Sequence, residues 1–325
     1  MTLADADRDS GAAPFLTVVM PVHCGERWIE PTLKSLAAEA TDDVEVLVID
    51  SSPDAGTAEM VRRFGAGLSL ELLTRPDLSN WRTKTNFGVE HARGAHVCTL
   101  HQDDLWLPGR VAAIRDWIAS APEAALHLAP TTIIDQDGNP LGTWRCPLPA
   151  EEAVTPALVL ERLLVQNFIA VPSPVFRRDA WLACGGLDLD LWYTADWDLW
   201  LKLASRGPVR YHETVTAAFR IHGSSLTVTG SRDSADFEDQ MRIVLDRHLS
   251  RLSPARAAAV GRVARASIKV NVALAAASSG GLGALGRAAC HMLSLGPHGL
   301  YRYLRDSRLL ERVVPRLRAK LSGAL

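Results

Sequence analysis

Apolar strand-like segments that alternate with helical patterns restrict the fold of this chain more than any other sequence feature. The strand-like segments are residues 15–22, 44–49, 68–74 and 95–100. The segments with helical spacing of apolar residues lie between them, at residues 28–40, 57–64 and 84–93. Several of the strands are almost continuously apolar, which is typical of strands buried on both faces. Strands and helices that alternate at this spacing predict βαβ units and a parallel sheet.

Polar residues directly follow three of the predicted strands. The three groups are residues 23–26 (HCGE), 50–52 (DSS) and 101–104 (HQDD). An open parallel sheet binds ligands at the carboxyl ends of its strands, so these residues are the first candidates for a ligand site. Asp103 and Asp104 are adjacent carboxylates that can hold Mg²⁺ or Mn²⁺ against a diphosphate, because hard oxygen ligands suit these cations. Alternatively, these two residues cap the helix that follows.

Two more carboxylates lie at the start of a helix predicted over residues 196–205. Asp196 and Asp198 are candidates for a general base that accepts the proton of an acceptor hydroxyl. The alternative is that they only cap the helix, where acidic residues are common. Further along, His222 follows a strand-like stretch and is either another metal ligand or a hydrogen-bonding residue, while Arg220 can face a phosphate.

The composition of the 325 residues is that of a globular protein, with 47% hydrophobic and 22% charged residues. The net charge of −2 argues against nucleic acid as the main partner. Five cysteines without CxxC spacing suggest neither a disulfide framework nor a zinc site, and they fit a reducing compartment. The first residues are polar, with no apolar core of a secretory signal, and no apolar segment suits a bilayer span. We therefore expect a cytoplasmic protein.

The order of the motifs resembles family 2 glycosyltransferases of the GT-A fold. In the first half the motifs are residues 16–22 (LTVVMPV), Glu26, residues 46–52 (VLVIDSS), 86–88 (NFG), 92–94 (ARG), 100–104 (LHQDD) and Pro108. In the second half they are residues 176–178 (FRR), 185–188 (GGLD), 196–201 (DWDLWL) and 220–222 (RIH). Each motif is weak alone, but their shared order over about residues 15–230 is specific.

The resemblance implies an α/β fold with three parts. These are a Rossmann-like nucleotide-binding sheet of the GT-A type over residues 15–120, a mixed acceptor-binding half over 121–232, and a helical C-terminal extension over 233–325. Residues 1–14 are expected to be a flexible tail. The implied activity is inverting transfer of a sugar from a nucleoside diphosphate donor to a hydroxyl of a glycan or a lipid-linked acceptor, in cell-surface polysaccharide or glycolipid synthesis.

The resemblance also assigns roles to individual residues. The residues expected at the nucleotide sugar are Pro21, Val22, Glu26, Asp50, Lys84 and Asp103. Asp103 and Asp104 occupy the position of the metal and the diphosphate, and His222 completes the ligands of Mn²⁺ or Mg²⁺. Asp196 takes the place of the general base, with Asp198 as a substitute or helper.

The charge is unevenly distributed along the chain. Residues 247–325 contain 14 Lys and Arg but two acidic residues, which leaves 21 basic and 35 acidic residues in residues 1–246. The basic, amphipathic segment over residues 300–320 can lie on an anionic membrane surface. Alternatively, it packs on the acidic body and pairs its arginines with carboxylates.

Two other functions remain open on the sequence. One is a sugar nucleotidyltransferase with the same fold, although residues 21–26 lack the glycine-rich, basic phosphate loop expected there. The other is an inactive scaffold that binds a nucleotide sugar or a membrane, because His101 and Ala195 stand where the family has acidic residues.

Overall fold

A computed structural model describes residues 12–223, 225, 234–278, 281, 283–321 and 323. These residues form strands β1–β12 and helices α1–α12. The strands are Leu16–Val22, Val44–Asp50, Ser69–Thr74, His96–Thr99, Leu105–Trp106, Leu126–Leu128, Thr131–Ile134, Pro140–Trp144, Ala153–Val154, Val175–Arg177, Val209–Tyr211 and Ala217–Arg220. The helices are Ile29–Ala37, Gly56–Arg62, Trp81–His91, Arg110–Ser120, Pro156–Val165, Arg178–Cys184, Ala195–Leu203, Ser234–Leu249, Pro254–Ser278, Ala284–Leu293, Gly296–Ser307 and Leu309–Leu321.

The larger of the two sheets has eight strands in the order β3-β2-β1-β4-β10-β6-β11-β9. Strands β3, β2, β1 and β4 are parallel, as the sequence predicts, and β10 is antiparallel to both of its neighbours. Because β2 and β4 flank β1, the winding direction of the chain reverses there. The crevice beyond the carboxyl ends of β1 and β4 is therefore the place where this type of sheet binds a ligand.

Both faces of the central strands are covered. Every residue of β1 and β2 is buried, which confirms the expectation from their continuous apolar sequence. Alternate residues enter two separate cores, so Val18 packs on one face of the sheet and Val19 on the other. A Cβ atom at Gly88 would lie 2.4 Å from Val19 Cγ1, so glycine allows α3 to pack directly on β1.

Local capping corrects some predicted boundaries. Helix α3 begins at Trp81 rather than at residue 84, because the Asn80 side chain accepts a hydrogen bond of 3.0 Å from Thr83 N and caps the helix. The helix over Arg178–Cys184 has the predicted bounds and ends at Gly185, whose φ of 79° closes it. The predicted N-terminal tail lies almost wholly outside the described residues.

A smaller sheet and the C-terminal helices complete the molecule. The smaller sheet has the order β5-β12-β7-β8. Helix α9 packs against α5, α8 and α10, and α12 packs on β8. None of the described helices combines the length and the apolar character needed to cross a bilayer.

Helix α12 is docked on β8 by three contacts. Glu311 Oε2 accepts a hydrogen bond of 2.8 Å from the backbone N of Arg145. Arg318 Nη1 donates a hydrogen bond of 2.7 Å to the carbonyl of Leu141. Between them, Pro315 approaches the strand where Gly142 leaves space. The basic C-terminal segment therefore packs on the body of the protein.

Candidate active site

A cavity of about 670 Å³ lies at the carboxyl ends of β1 and β4. Its walls come from the residues after β1, β4 and β12, from the starts of α3 and α7, and from α12. The structure thus brings residues from both halves of the chain and from the C-terminal helices to one site. The lining residues with candidate chemical roles are Pro21, Lys84, His101, Asp103, Asp196, Arg220, His222, Arg312 and Arg316.

A cluster of possible metal ligands forms where β4 ends. His101, Asp103 and Asp104 each offer one ligand atom, and these atoms all lie within 4.8 Å of one another. His222, which follows β12, joins the cluster because its Nε2 donates a hydrogen bond of 2.9 Å to Asp103 Oδ2. The distant sequence positions 101–104 and 222 meet because β12 pairs with β5, the strand that follows the cluster.

Two atoms of this cluster have no hydrogen-bond partner among the described residues. Within the described part of the chain, His101 Nε2 and Asp104 Oδ2 are buried atoms with no hydrogen-bond partner. Asp104 Oδ1, in contrast, accepts a hydrogen bond of 3.0 Å from Arg220 N. Buried polar atoms normally have hydrogen-bond partners. An imidazole nitrogen and a carboxylate oxygen that lack them, close to the Asp103 carboxylate, fit a bound divalent cation.

Burial sets the ionisation of the cluster. Burial lowers the pKa of His101, which keeps its ring neutral and able to ligate. Burial also acts to raise the pKa of Asp103, but the hydrogen bond from His222 and the nearby imidazoles hold it below its usual value. The pKa of Asp104 is raised well above its usual value by burial and by repulsion from Asp103. A cation would offset this repulsion between the two carboxylates.

Arg220 holds this wall of the cavity together. Its Nε donates a hydrogen bond of 2.8 Å to the carbonyl of Asp103, and its Nη1 donates one of 2.9 Å to the carbonyl of Asp135. The guanidinium also lies 4.9 Å from the centre of the Trp28 ring, which in turn lies 5.3 Å from the His222 ring. Arg220 thus uses Nε and Nη1 on backbone carbonyls and also lines the cavity, so the expectation that it faces a phosphate stays a prediction.

Asp196 presents a half-buried carboxyl group to the cavity from the first turn of α7. Its Oδ2 accepts a hydrogen bond of 3.0 Å from Asn167 Nδ2, and its Oδ1 accepts one of 2.7 Å from Trp197 N. Burial raises the pKa of Asp196 to about 6, against the lowering effect of these hydrogen bonds. A carboxyl group with this pKa suits proton transfer near neutral pH. No motif in the sequence predicts that Asn167 is part of this site.

Asp198, the predicted substitute or helper, is not among the residues that line the cavity. It is buried on another face of α7, where it accepts hydrogen bonds of 3.0 Å from Arg247 and 2.8 Å from His248. Lys202 lies 3.0 Å from its other oxygen. Burial acts to raise the pKa of Asp198, but these partners hold it far below its usual value. Residues two positions apart on a helix face different directions, so the two aspartates cannot share one site.

The residues expected at the nucleotide divide into two groups. Pro21, Lys84 and Asp103 line the cavity. Lys84 Nζ donates hydrogen bonds of 2.6 Å to Val22 O and 2.8 Å to Ser51 Oγ, and burial lowers its pKa to about 8. It therefore braces the ends of β1 and β2.

The other three residues expected at the nucleotide lie outside the cavity lining. The Val22 side chain is in the core. Asp50 Oδ1 accepts hydrogen bonds from Ser52, with 2.8 Å to the backbone N and 2.6 Å to Oγ. Glu26 is exposed and accepts a hydrogen bond from Thr57. These contacts shape the loops beside the cavity.

The fold and the site together define a class of protein. The sheet reverses its winding direction at β1, a His-Asp-Asp cluster lies at the end of β4, and a half-buried carboxyl group faces the same cavity, which is the GT-A architecture. Solved structures agree with this assignment. The protein is similar to the crystal structure of Staphylococcus aureus TarS 1–349 in complex with UDP-GlcNAc. The similarity covers 95% of this chain and 92% of the TarS chain, with a TM-score of 0.63 and 16% identity.

Another solved structure is the mannosyltransferase PcManGT from Pyrobaculum calidifontis in complex with GDP-Man and Mn²⁺. The similarity has a TM-score of 0.52 and 18% identity, over 93% of this chain and 88% of that chain. In sequence, an uncharacterised glycosyltransferase of Rickettsia felis is 20% identical over 245 residues. That match covers 74% of this chain and 39% of the relative, so the chain corresponds to well under half of that longer protein.

Residues 17–152 match the family model described as glycosyl transferase family 2. Residues 17–152 thus have the sequence of a family 2 glycosyltransferase, and the chain has the GT-A fold. This confirms the family and the fold class predicted from the ordered motifs.

Proposed function

We propose that this protein is an inverting, metal-dependent glycosyltransferase that moves a sugar from a nucleoside diphosphate donor to a hydroxyl acceptor. The observation that carries the proposal is the pairing of two features in one cavity. The His101, Asp103 and Asp104 cluster lies at the sheet end where nucleotides bind, and Asp196 faces the same cavity from α7. One feature suits a metal-bound diphosphate, and the other suits a reacting hydroxyl.

The carboxylates of the cavity support inversion. Among the described residues that line it, Asp103 and Asp196 are the only carboxylates. Asp103 is engaged with His222, so Asp196 is left to act on the acceptor. Retention through a covalent intermediate would need a carboxylate nucleophile in addition to the acid or base, whereas a single displacement needs one base.

In the reaction, Asp196 would take the proton of the acceptor hydroxyl as that oxygen attacks the anomeric carbon of the donor. Asn167 would hold the carboxylate in place through its hydrogen bond to Oδ2. Arg220 would fix the backbone of the metal cluster, and Lys84 would fix the strand ends on which the nucleotide rests. These residues position groups, so most of the rate gain would come from orientation and proton transfer.

His101, Asp103, Asp104 and His222 would hold the metal ion, Mn²⁺ or Mg²⁺. When bound, a divalent cation supplies positive charge that stabilises the departing diphosphate. Carboxylate oxygens are ligands that suit Mn²⁺. The Mn²⁺ in the PcManGT complex, a protein of the same fold, supports this choice.

The outer face of α12 is consistent with an acceptor at a membrane, such as a cell-surface glycan or a lipid-linked acceptor. Four apolar residues form a stripe along it at helical spacing: Leu310, Val314, Leu317 and Leu321. Leu310 is 72% exposed and Leu317 is 54% exposed, and the basic residues Arg318 and Lys320 lie beside them. We propose that this stripe rests on an anionic membrane surface and brings the enzyme to its acceptor.

The activity is tested by measuring nucleoside diphosphate release from a panel of nucleotide sugars, with Mn²⁺ and with a chelator. The expected result is release from one donor class that stops on chelation and resumes when Mn²⁺ is restored. NMR of the product of an α-linked donor should show the β-anomer. Release that is indifferent to chelation, or a product with the donor's configuration, would contradict the proposed mechanism.

A further inference from the structure

Two arginines of α12 reach the cavity near the proposed base. Arg312 and Arg316 are four residues apart, so they project from the same face of the helix, and both line the cavity. Tyr193 interacts electrostatically with both arginines and with Asp196. Burial raises the pKa of Tyr193, Arg312 and Arg316 act to lower it, and Asp196 acts to raise it. Tyr193 and these three charged side chains all line the same cavity.

In the part of the chain that the structure describes, Arg312 and Arg316 donate hydrogen bonds to uncharged groups. Arg312 Nη2 donates a hydrogen bond of 3.2 Å to Asn271 Oδ1, and Arg316 Nη1 donates one of 2.7 Å to Arg312 O. No Asp or Glu within the described ranges forms an ion pair with either of them, and Arg312 Nη1 is buried without a hydrogen-bond partner there.

The neighbouring arginines behave differently. Arg302 pairs with Glu161 at 3.1 Å, Arg305 pairs with Asp306 at 2.6 Å, and Arg308 pairs with Glu311. Of these five arginines, the three outside the cavity lining each pair with a carboxylate, and the two that line the cavity pair with none in the described ranges. Burial lowers the pKa of Arg312, and it lowers that of Arg316 to about 10, with a further contribution from Arg312. Two half-buried like charges with no carboxylate partner among the described residues are costly, so a ligand anion would stabilise them.

We propose that Arg312 and Arg316 form a binding subsite for an oxyanion, a phosphate or a carboxylate, carried by the acceptor or by the transferred sugar. This inference rests on the proposed glycosyl transfer and specifies the substrate class. Guanidinium groups bind such oxyanions with paired, charge-assisted hydrogen bonds, for which lysine is a poorer substitute. The docking of α12 on β8 holds both side chains in place before the ligand arrives.

The test measures binding by quenching of tryptophan fluorescence, which needs no turnover. Trp28, Trp81, Trp144, Trp192 and Trp197 all line the cavity and report on it. An acceptor arm compares glycerol 3-phosphate with glycerol. A donor arm compares UDP-glucuronic acid with UDP-glucose, both with Mn²⁺. Wild type should prefer the probe with the additional phosphate or carboxylate in at least one arm by about tenfold, as expected for charge-assisted hydrogen bonds; this ratio is the anionic preference. The arm that responds identifies which substrate carries the anion.

Variants assign the preference to the two arginines. In Arg312→Gln/Arg316→Gln the anionic preference should fall by about tenfold, and in Arg312→Lys/Arg316→Lys it should fall less. The control Arg265→Gln/Arg287→Gln removes the same charge from exposed positions outside the cavity and should keep the wild-type preference.

Two outcomes would overturn the subsite. One is a wild type that binds the two probes of each arm equally, with and without the additional phosphate or carboxylate, which decides the question even if a variant fails to fold. The other is an equal loss of preference in the cavity and control variants. Because binding is measured without turnover, a failure of glycosyl transfer itself would be recognised separately, as absent nucleoside diphosphate release.

Discussion

At the scale of single residues, the ionisation of Asp196 determines the pH dependence of the reaction. A base must be deprotonated to act, and burial raises the pKa of this carboxyl group to about 6. We therefore expect kcat/KM of the wild type to fall as the pH drops through about 6 and to level off above it. The measurement is nucleoside diphosphate release in the presence of acceptor from pH 5 to pH 8. A profile that is flat over pH 5 to 7 would contradict the assignment.

Asn167→Ala provides a matched test of the same assignment. The hydrogen bond from Asn167 lowers the pKa of Asp196, so its loss should raise that pKa further. The inflection of the profile should then move to higher pH in the variant, with little change in the plateau. A shift to lower pH, or a proportional loss of rate at every pH, would indicate that Asn167 acts only on the fold.

The sequence indicated which residues carry the chemistry, but not which way their side chains point. Asp103 and Asp196 were predicted and do line the cavity. The choice between Asp196 and Asp198 depends on the rotation of α7 relative to the sheet, which is a tertiary property. Arg312 and Arg316 show the helical spacing of one face, but no local pattern specifies which surface that face meets.

At the scale of elements, prediction succeeded where strands are long and pair in sequence order. Strands β1 and β2 were predicted nearly to their ends, because complete burial requires continuous apolar sequence. Between residues 121 and 175 the strands have two to five residues and pair with distant partners, such as β6 with β10 and β11. Such short segments carry no periodicity of their own, so the mixed sheets could not be derived.

The contact between α12 and β8 leads to a prediction at this scale. A Cβ atom at position 142 would lie 3.1 Å from Pro315 Cγ, which is already tight. Gly142→Val should therefore lower the free energy of unfolding by about 1–3 kcal/mol, the usual cost of overpacking. Gly67→Val is the control, since no atom lies within 4 Å of a Cβ there, and it should change stability by no more than about 0.5 kcal/mol. Urea unfolding measures both, and equal effects would contradict the tight contact.

At the scale of the whole molecule, ion pairs within the protein partly offset the uneven distribution of charge along the chain. Arg247 pairs with Asp188 at 2.8 Å and with Asp198 at 3.0 Å, and Arg302 pairs with Glu161. The alternative in which the C-terminal helices pair with the acidic body therefore describes the structure. Packing does not remove the membrane proposal, because the apolar stripe of α12 remains on the outer face.

Membrane binding is tested by flotation with vesicles that contain phosphatidylglycerol. Leu310→Ser/Leu317→Ser should reduce the floated fraction strongly, because apolar insertion supplies much of the affinity. Leu182→Ser/Leu189→Ser changes two leucines that are also exposed but lie outside α12, and it should bind like the wild type. Wild type should also bind less to neutral vesicles. Equal behaviour of the two variants would contradict the role of the stripe.

The most direct test of the account separates donor binding from transfer in two single variants. Binding of UDP and GDP with Mn²⁺, and the rate of sugar transfer, are measured for Asp196→Asn and Asp103→Asn beside the wild type. Asp196→Asn should bind the nucleotide normally but transfer about 10²–10⁴ times more slowly. Asp103→Asn should lose the Mn²⁺-dependent part of nucleotide binding. Wild-type transfer by Asp196→Asn, or unchanged Mn²⁺-dependent binding by Asp103→Asn, would contradict the account.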